Sequence, residues 1–264
     1  MIRFHRIAPA LVALVPALAL TLAAPAARAA SPQPATDSWD RVLHAHGNRG
    51  GMDYAALAAD RGDLDTFLSS LAAVRPQTLG KKEALAFWIN AYNAVVVQHV
   101  LERYPGIQSV KKVDGFFDSL TYPVAGEKMT LDAIEAAGRK LGDPRIHFAV
   151  VCASTSCPDL RAEAYTGARL DAQLDDQVRI FLENPSKGLR YDAKSNTAWL
   201  SSIFKWYAGD FTGGSTVVAF FARGAVLDWV IDHAPKPLAA TLKAKDPSVS
   251  YLDYDWSLND RPKR

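Results

Sequence analysis

The sequence predicts an α+β fold in which several helices pack around a small, mainly antiparallel sheet. Apolar residues recur at helical spacing along most of the chain, most clearly within residues 64–75, 81–104 and 169–183. Two pairs of short β-type segments, each with a turn-forming stretch between them, lie within residues 116–129 and 189–200. With 49% hydrophobic residues and two cysteines, packing rather than a disulfide framework must stabilise this fold.

The first 29 residues have the pattern of a secretory signal peptide. A basic start with Arg3 and Arg6 precedes an apolar run, and Ala27 and Ala29 are the small residues expected before a cleavage site. We therefore expect a periplasmic or secreted protein. The expected organisation is a signal peptide at residues 1–29, a disordered leader at residues 30–36, a single domain at residues 37–259 and a tail at residues 260–264.

Composition limits the classes of partner. Removal of residues 1–29 takes away three arginines and leaves 27 basic against 28 acidic residues, a formal charge of −1. Such a surface gives no argument for nucleic acid or an anionic membrane, and no later apolar run is expected to span a bilayer. The sequence has no phosphate-binding glycine loop, no H-E-x-x-H and no paired C-x-x-C, so we expect neither a cofactor nor a metal. The expected partner is an unidentified small molecule or peptide.

The first half of the domain is predicted to be helical. Apolar spacing predicts a short helix around Trp39, a second helix over residues 64–75 and the longest helix over residues 81–104, which Pro105 terminates. In the long helix, Asn90 and Asn93 share one face within the sequence FWINAYNA. Asparagine is a mediocre helix former, so two of them beside large apolar residues predict buried amides with defined partners. These amides either brace a neighbouring loop or act in a site, as donors to a substrate carbonyl or by orienting a catalytic histidine.

The elements that follow are short and bounded by turn residues. Residues 116–129 resemble a hairpin with a turn at Gly126, and Thr130 is placed to cap a helix over residues 131–141. Beyond the cysteines, the expected elements are a core helix over residues 169–183, paired strands at 189–191 and 197–200, further helices, and a final extended segment at 251–258.

Both cysteines lie in the stretch RIHFAVVCASTSCPDLRAEAY, residues 145–165. Its apolar and β-branched residues predict a buried strand over residues 146–151, followed by a turn and a helix that starts near Cys157. A helix N-terminus favours a thiolate, so Cys157 is the better placed nucleophile. Alternatively, Cys152 and Cys157 form a disulfide, as cysteines of exported proteins often do. His147 and Cys152 fall on opposite faces of a regular strand, so His147 could approach Cys157 only after the turn.

Four motifs together resemble the family catalogued as domain of unknown function 547. They are FWINAYNA at residues 87–94, RIHFAVVCASTSCPDLRAEAY at 145–165, LSSIFKWYAGDF at 200–211 and YDWSLN at 254–259. The resemblance extends over residues 37–259 and implies no biochemical activity by itself.

This family in turn resembles the papain and transglutaminase-like superfamily, in which a helix packs on an antiparallel sheet. That resemblance implies that His147 is the catalytic histidine at the start of a strand, and that the FWINAYNA helix matches the one that normally begins with the nucleophilic cysteine. This chain departs from the pattern, because residues 81–104 contain no cysteine. Either the nucleophile has moved to Cys152 or Cys157, or the domain binds without catalysing.

Three functions are therefore open. The first is a thiol-dependent hydrolase or acyl transferase in which Cys157 attacks, His147 is the general base, and Asn90 or Asn93 orients the base or stabilises the oxyanion. The second is a non-catalytic binding or scaffold domain held by a Cys152 to Cys157 disulfide. The third is a thiol-disulfide redox protein, although the four-residue spacer differs from C-x-x-C.

Overall fold

Helices dominate the part of the chain that the computed structural model describes, which is residues 33–48, 50–213 and 219–262. The expected signal peptide lies outside these residues. Within them the helices are α1 (Thr36–His46), α2 (Tyr54–Ala59), α3 (Gly62–Ser70), α4 (Lys81–Leu101), α5 (Leu131–Arg139), α6 (Leu170–Glu183), α7 (Ile203–Trp206), α8 (Ala208–Phe211), α9 (Ala219–His233) and α10 (Lys236–Lys245). The strands are β1 (Gly47–Asn48), β2 (Gly51–Met52), β3 (Thr121–Val124), β4 (Glu127–Thr130), β5 (Leu189–Asp192), β6 (Thr197–Leu200) and β7 (Ser248–Tyr251).

The strands form small sheets in place of the one sheet expected. β1 pairs with β2, and β3 pairs with β4, both antiparallel. The third sheet has the order β5-β6-β7, in which β5 and β6 are antiparallel and β6 and β7 are parallel. The predicted class, helices with a mainly antiparallel sheet content, is confirmed. Both predicted hairpins are present, and the first lies at residues 121–130 because residues before Thr121 form turns.

Helix α4 is the centre of the larger hydrophobic core. Its residues from Ala84 to Leu101 are almost all buried, which fits a helix that is apolar on every side. By length and composition this helix could cross a bilayer, contrary to the expectation that no later run could, and it is the one such helix within the described residues. However, 89% of its most apolar stretch is buried inside the protein.

Helix α5 packs against α4 and begins as the sequence predicts. The Thr130 hydroxyl accepts a hydrogen bond from the backbone N–H of Ala133 at 3.2 Å and so caps the helix. The close approach of the two helices depends on Gly138. A Cβ atom at this position would lie 2.6 Å from Ile146 Cδ1 and 3.3 Å from Trp88 Cβ, so only glycine fits without rearrangement.

The predicted strand over residues 146–151 is wrong, and so is the helix start near Cys157. Residues Pro144–Phe148 form a 3-10 helix, capped by the Asp143 side chain, and the backbone then runs irregularly until α6 begins at Leu170. The Asn93 side chain of α4 makes hydrogen bonds to the backbone of Ala149 and Val151, which in a strand would bond to a neighbouring strand. Cys157 therefore lies in a loop, and the argument from a helix N-terminus does not apply to it.

The C-terminal segment holds this loop in place. The backbone N–H groups of Thr155 and Ser156 donate to the carbonyl oxygens of Ser257 and Asp255 at 2.8 and 3.1 Å. Asn259 N–H donates to the Ala153 carbonyl at 3.0 Å. The loop from Cys152 to Cys157, called here the thiol loop, is thus paired with a segment about a hundred residues away.

The hydrogen bonding continues into the residues expected to form a tail. Arg261 N–H donates to the Met52 carbonyl at 2.8 Å, and the Asn48 side chain donates to the carbonyl oxygens of Arg261 and Pro262. These bonds attach the described end of the chain to the β1–β2 ribbon.

Candidate functional site

A cavity of about 370 Å³ lies beside the thiol loop. The long helix α4, the helix α5 that packs on it, the thiol loop and the C-terminal segment all contribute to its wall. The lining side chains are Tyr92, Phe117, Asp118, Asp132, Glu135, His147, Val150, Cys152, Cys157, Ile203, Trp206, Tyr207, Tyr254 and Trp256. The fold therefore brings His147 and both cysteines to one cavity, as the hydrolase hypothesis requires.

The two cysteines are not joined by a disulfide bond in the structure, and their sulfur atoms are in direct contact. Their Sγ atoms lie 2.8 Å apart, and the backbone N–H of Cys152 donates to Cys157 Sγ at 2.9 Å. The Cys152 sulfur also lies 3.1 Å from Ser154 Oγ and 3.5 Å from the Tyr254 hydroxyl. Cys157 is 3% exposed, whereas Cys152 is partly exposed. Cys152 is consequently the sulfur with more polar neighbours and better access.

The environment also separates the acidities of the two thiols. Burial opposes ionisation of Cys152, but hydrogen bonds from Cys157, Ser154 and Tyr254 outweigh it and lower the pKa of the Cys152 thiol. Burial raises the pKa of Cys157, and sharing a proton with Cys152 raises it further. The pair therefore carries one negative charge more readily than two, and Cys152 is the sulfur that holds it. This reverses the sequence-based preference for Cys157.

His147 is held by a carboxylate that sequence analysis did not single out. His147 Nε2 lies 2.7 Å from Asp210 Oδ2, and its ring stacks on Tyr207 with a centroid distance of 4.0 Å. Arg139 in turn binds both oxygens of Asp210, at 2.7 and 3.1 Å, and its guanidinium lies over the Tyr207 ring. The imidazole is thus held by a carboxylate and by an aromatic ring, and Arg139 in turn holds both of these groups.

Burial determines the charge of this histidine. His147 is 2% exposed, and burial lowers its pKa to about 4 despite the opposing effect of Asp210. The ring is therefore neutral at pH 7. With the Nε2 proton donated to Asp210, the lone pair resides on Nδ1, so His147 has the protonation state of a general base.

Residues 76–182 match the family model described as "Protein of unknown function, DUF547". Over these residues the chain is similar to the DUF547 family. No curated protein and no solved structure matches the chain. The match is shorter than the resemblance expected from the four motifs, and the expected relation to papain and transglutaminase-like proteins is not confirmed. His147 lies in a 3-10 helix, not at the start of a strand as that relation implies.

The two asparagines of the DUF547 region brace backbone rather than line the cavity. Asn90 donates to the Tyr165 carbonyl at 2.7 Å and accepts from Tyr165 N–H at 3.0 Å. Asn93 donates to the Ala149 carbonyl at 2.9 Å and accepts from Val151 N–H at 2.8 Å. Each amide therefore makes the two backbone hydrogen bonds that a neighbouring strand would otherwise make to this irregular segment. Asn93 fixes the residue immediately before Cys152.

Part of the site lies outside the matched DUF547 region. Two motifs that carry the family resemblance, LSSIFKWYAGDF and YDWSLN, contribute Tyr207, Asp210, Tyr254 and Trp256. The resemblance itself assigned no role to these residues. Sequence reasoning missed Asp210 because 63 positions separate it from His147. The grouping of Asp210 with aromatic residues in a recognisable motif was the available signal. Within the described residues, no group of three His, Cys, Asp or Glu side chains is arranged to hold a metal ion.

Proposed function

We propose that this protein is a thiol-dependent hydrolase or acyl transferase whose nucleophile is Cys152. The observation that carries this proposal is the shared cavity, in which a cysteine of lowered pKa and a neutral histidine oriented by Asp210 both form the wall. A nucleophile, a base and a group that orients the base are the three parts of this chemistry. The N-terminal pattern supports the further proposal that the protein acts in the periplasm or outside the cell.

The reaction begins when Cys152 Sγ attacks the carbonyl carbon of an ester, thioester or amide. The thiol proton passes to His147 Nδ1, the bond from the carbonyl carbon to the leaving group breaks, and the leaving group takes that proton from His147. A thioester on Cys152 remains. Water or another nucleophile then attacks the thioester, gives its proton to His147, and releases the acyl group, with the proton returning to Cys152. Asp210 keeps Nδ1 available by accepting the Nε2 proton in a hydrogen bond throughout.

His147 hydrogen-bonds Asp210 and makes no hydrogen bond to either thiol in the described structure. Catalytic hydrogen bonds are often long in a free enzyme and shorten when substrate binds. Cys157 has the role of a donor that lowers the pKa of Cys152. Asn90 and Asn93 act as positioning residues, because their amide groups bind backbone.

The test uses p-nitrophenyl acetate as the acyl donor and iodoacetamide as a probe of the thiolate alone. We expect an acetyl group on Cys152, detected by peptide mapping, and release of p-nitrophenolate that Cys152→Ser abolishes. His147→Gln should slow acetylation and turnover while iodoacetamide labelling of Cys152 continues, because the neighbours that lower its pKa are not His147. Acetylation at an equal rate in His147→Gln would refute the assigned base. Absence of an adduct on Cys152 would refute the nucleophile.

The contact between the two sulfurs favours a second function, thiol-disulfide exchange. In that reaction the Cys152 thiolate attacks a partner disulfide, which forms a mixed disulfide and releases one partner thiol. Cys157 then attacks Cys152, so the partner leaves as a dithiol and a Cys152 to Cys157 disulfide remains. The lower pKa and greater access of Cys152 suit the first attack, and the buried Cys157 suits the second.

Cys157→Ser separates the two functions. With oxidised glutathione, a redox protein lacking Cys157 should accumulate a mixed disulfide on Cys152 and lose turnover, and His147→Gln should have no effect. An acyl transferase lacking Cys157 should keep p-nitrophenyl acetate turnover, since the serine hydroxyl still donates to Cys152. The third hypothesis, a binding or scaffold domain, would be favoured by a disulfide that forms in protein purified without reductant, together with inactivity in both assays after reduction.

A further inference from the structure

We propose that the cavity binds an alkylammonium group, so that the substrate or acyl acceptor carries a protonated amine. This inference rests on the proposed function, because only an acyl-transfer reaction has a substrate and an acyl acceptor. Three features of the cavity wall support it: aromatic rings, carboxylates without salt bridges, and the hydroxyl of Tyr92. The amine is either a lysine side chain in a peptide or a free aliphatic amine, and the two share the same chemistry.

Aromatic rings form the mouth of the cavity. Trp206 is 48% exposed, and its ring lies 5.9 Å from that of Trp256 and 4.9 Å from that of Tyr254. Tyr254 and Trp256 rings are 4.7 Å apart, so the three rings form one continuous surface. On a neighbouring cleft, the Lys111 ammonium already lies 5.0 Å from the centre of the Trp256 ring. Aromatic faces of this kind attract alkylammonium groups through the negative charge of their π systems.

Three carboxyl groups line the same cavity without a matching cation. Asp118, Asp132 and Glu135 form no salt bridge with any residue in the described parts of the chain, and no lysine or arginine lines the cavity. Arg139, which lies near Glu135, binds Asp210. Burial raises the pKa of Asp132, and the neighbouring Asp118 raises it further. Burial also raises the pKa of Glu135, with smaller contributions from Asp132 and Asp210, against a hydrogen bond from Tyr207 and the charge of Arg139. A bound ammonium would remove this repulsion, so the cavity favours a cationic ligand.

Tyr92 supplies an independent indication that a ligand group belongs here. It is 3% exposed, yet it lines the cavity and its hydroxyl has no hydrogen-bond partner among the residues that the structure describes. After burial, the groups that raise the pKa of Tyr92 are Glu135, Cys152, Cys157 and Tyr207, which all line the cavity. The phenol oxygen therefore belongs to the inner wall. A ligand N–H or carbonyl oxygen in the cavity would therefore find a hydrogen-bonding group in its wall.

The test measures binding without catalysis, by calorimetric titration of the full-length Cys152→Ser protein. The peptide-borne probe is Nα-acetyl-lysine amide, with Nα-acetyl-norleucine amide as its neutral counterpart. The free-amine probe is pentylamine, with pentanol as its counterpart. We expect at least one charged probe to bind about tenfold more tightly than its counterpart. Preference for the lysine compound alone identifies a peptide ligand, and preference for pentylamine alone identifies a free amine.

Charge variants locate the effect. Asp132→Asn combined with Glu135→Gln should remove the preference, whereas Glu127→Gln, a change of the same type on the exposed part of β4, should preserve it. If the double variant does not fold, Trp206→Ala serves instead, because a half-exposed side chain contributes little to the core, and it should reduce the preference. Equal affinity of charged and neutral probes would overturn the inference. That result is separate from the acetylation of Cys152, so ammonium binding and acyl transfer can fail independently.

Discussion

Replacement of Cys157 by alanine should raise the pKa of Cys152. The Cys157 sulfur lies 2.8 Å from that of Cys152 and is the first of the hydrogen-bond partners that lower its pKa. Alanine removes this donor and leaves Ser154 and Tyr254 in place. Serine at the same position keeps a hydroxyl that can donate, so Cys157→Ser is the matched control and should cause a smaller shift.

The size of the effect follows from the strength of one charge-assisted hydrogen bond. Such a bond contributes about 1.5 to 3 kcal/mol, and one pKa unit corresponds to about 1.4 kcal/mol, so the pKa of Cys152 should rise by about one to two units. At a pH below the pKa of Cys152 in both proteins, the fraction of Cys152 present as thiolate should be about ten- to a hundredfold smaller in the variant than in the unaltered protein. A more basic thiolate is also a better nucleophile, with a Brønsted coefficient of about 0.5, so the alkylation rate should fall only about three- to tenfold.

The assay follows iodoacetamide labelling of Cys152 from about pH 5 to about pH 10 by mass spectrometry, with thermal unfolding as a check on each variant. The midpoint of the rate against pH gives the pKa directly, which separates ionisation from nucleophilicity. An unchanged midpoint in Cys157→Ala would show that Cys157 does not donate to the thiolate. Equal shifts in the alanine and serine variants would assign the effect to packing.

Three further outcomes follow from the buried polar groups. The pKa of His147 is lowered from 6.5 to about 4, so the unfolded chain takes up the proton first as the pH falls, and the folded protein loses stability between these two values. Urea unfolding should show that the loss of stability from about pH 7 to about pH 5 is smaller by about 2 kcal/mol in His147→Gln than in the unaltered protein. An equal loss in both proteins would contradict the assignment. Asp210→Asn should reduce p-nitrophenyl acetate turnover at least a hundredfold, while iodoacetamide labelling stays constant; reduced labelling would show that Asp210 acts on the thiol. Asn93→Ala leaves two buried backbone groups without partners and should cost about 2 to 5 kcal/mol in urea unfolding and alter labelling of Cys152. The matched change Asn90→Ala should cost a similar amount and leave labelling unchanged, so altered labelling in both variants would point to a general loosening of the fold.

Local patterns in the sequence determined the elements whose stability is local. Helices α4 and α6 follow from apolar residues at helical spacing, Thr130 caps α5 as predicted, and both hairpins follow from strand-type residues around a turn. The sequence also placed His147, Cys152 and Cys157 within one short stretch, although the predicted strand put His147 and Cys152 on opposite faces.

The same reasoning failed where side chains from distant segments replace regular backbone pairing. The stretch before Cys152 has the composition of a strand, but the Asn93 amide binds its backbone and Pro144 starts a 3-10 helix, so no strand forms. Without a following helix start at Cys157, the predicted reason for its reactivity is lost. A propensity describes one residue and its neighbours, and it carries no information about which amide will lie opposite.

Only the tertiary structure decided which thiol has the lower pKa and which carboxylate binds His147. Tyr254 reaches Cys152 across 102 positions, and Asp210 reaches His147 across 63. The acidity of a thiol depends on burial and on the donors that surround it in space, and these come from segments whose separation in the sequence gives no measure of distance. The sequence therefore determined which chemical groups are available in this protein, whereas packing of the C-terminal segment and of α8 against the thiol loop and His147 determined what each group can do.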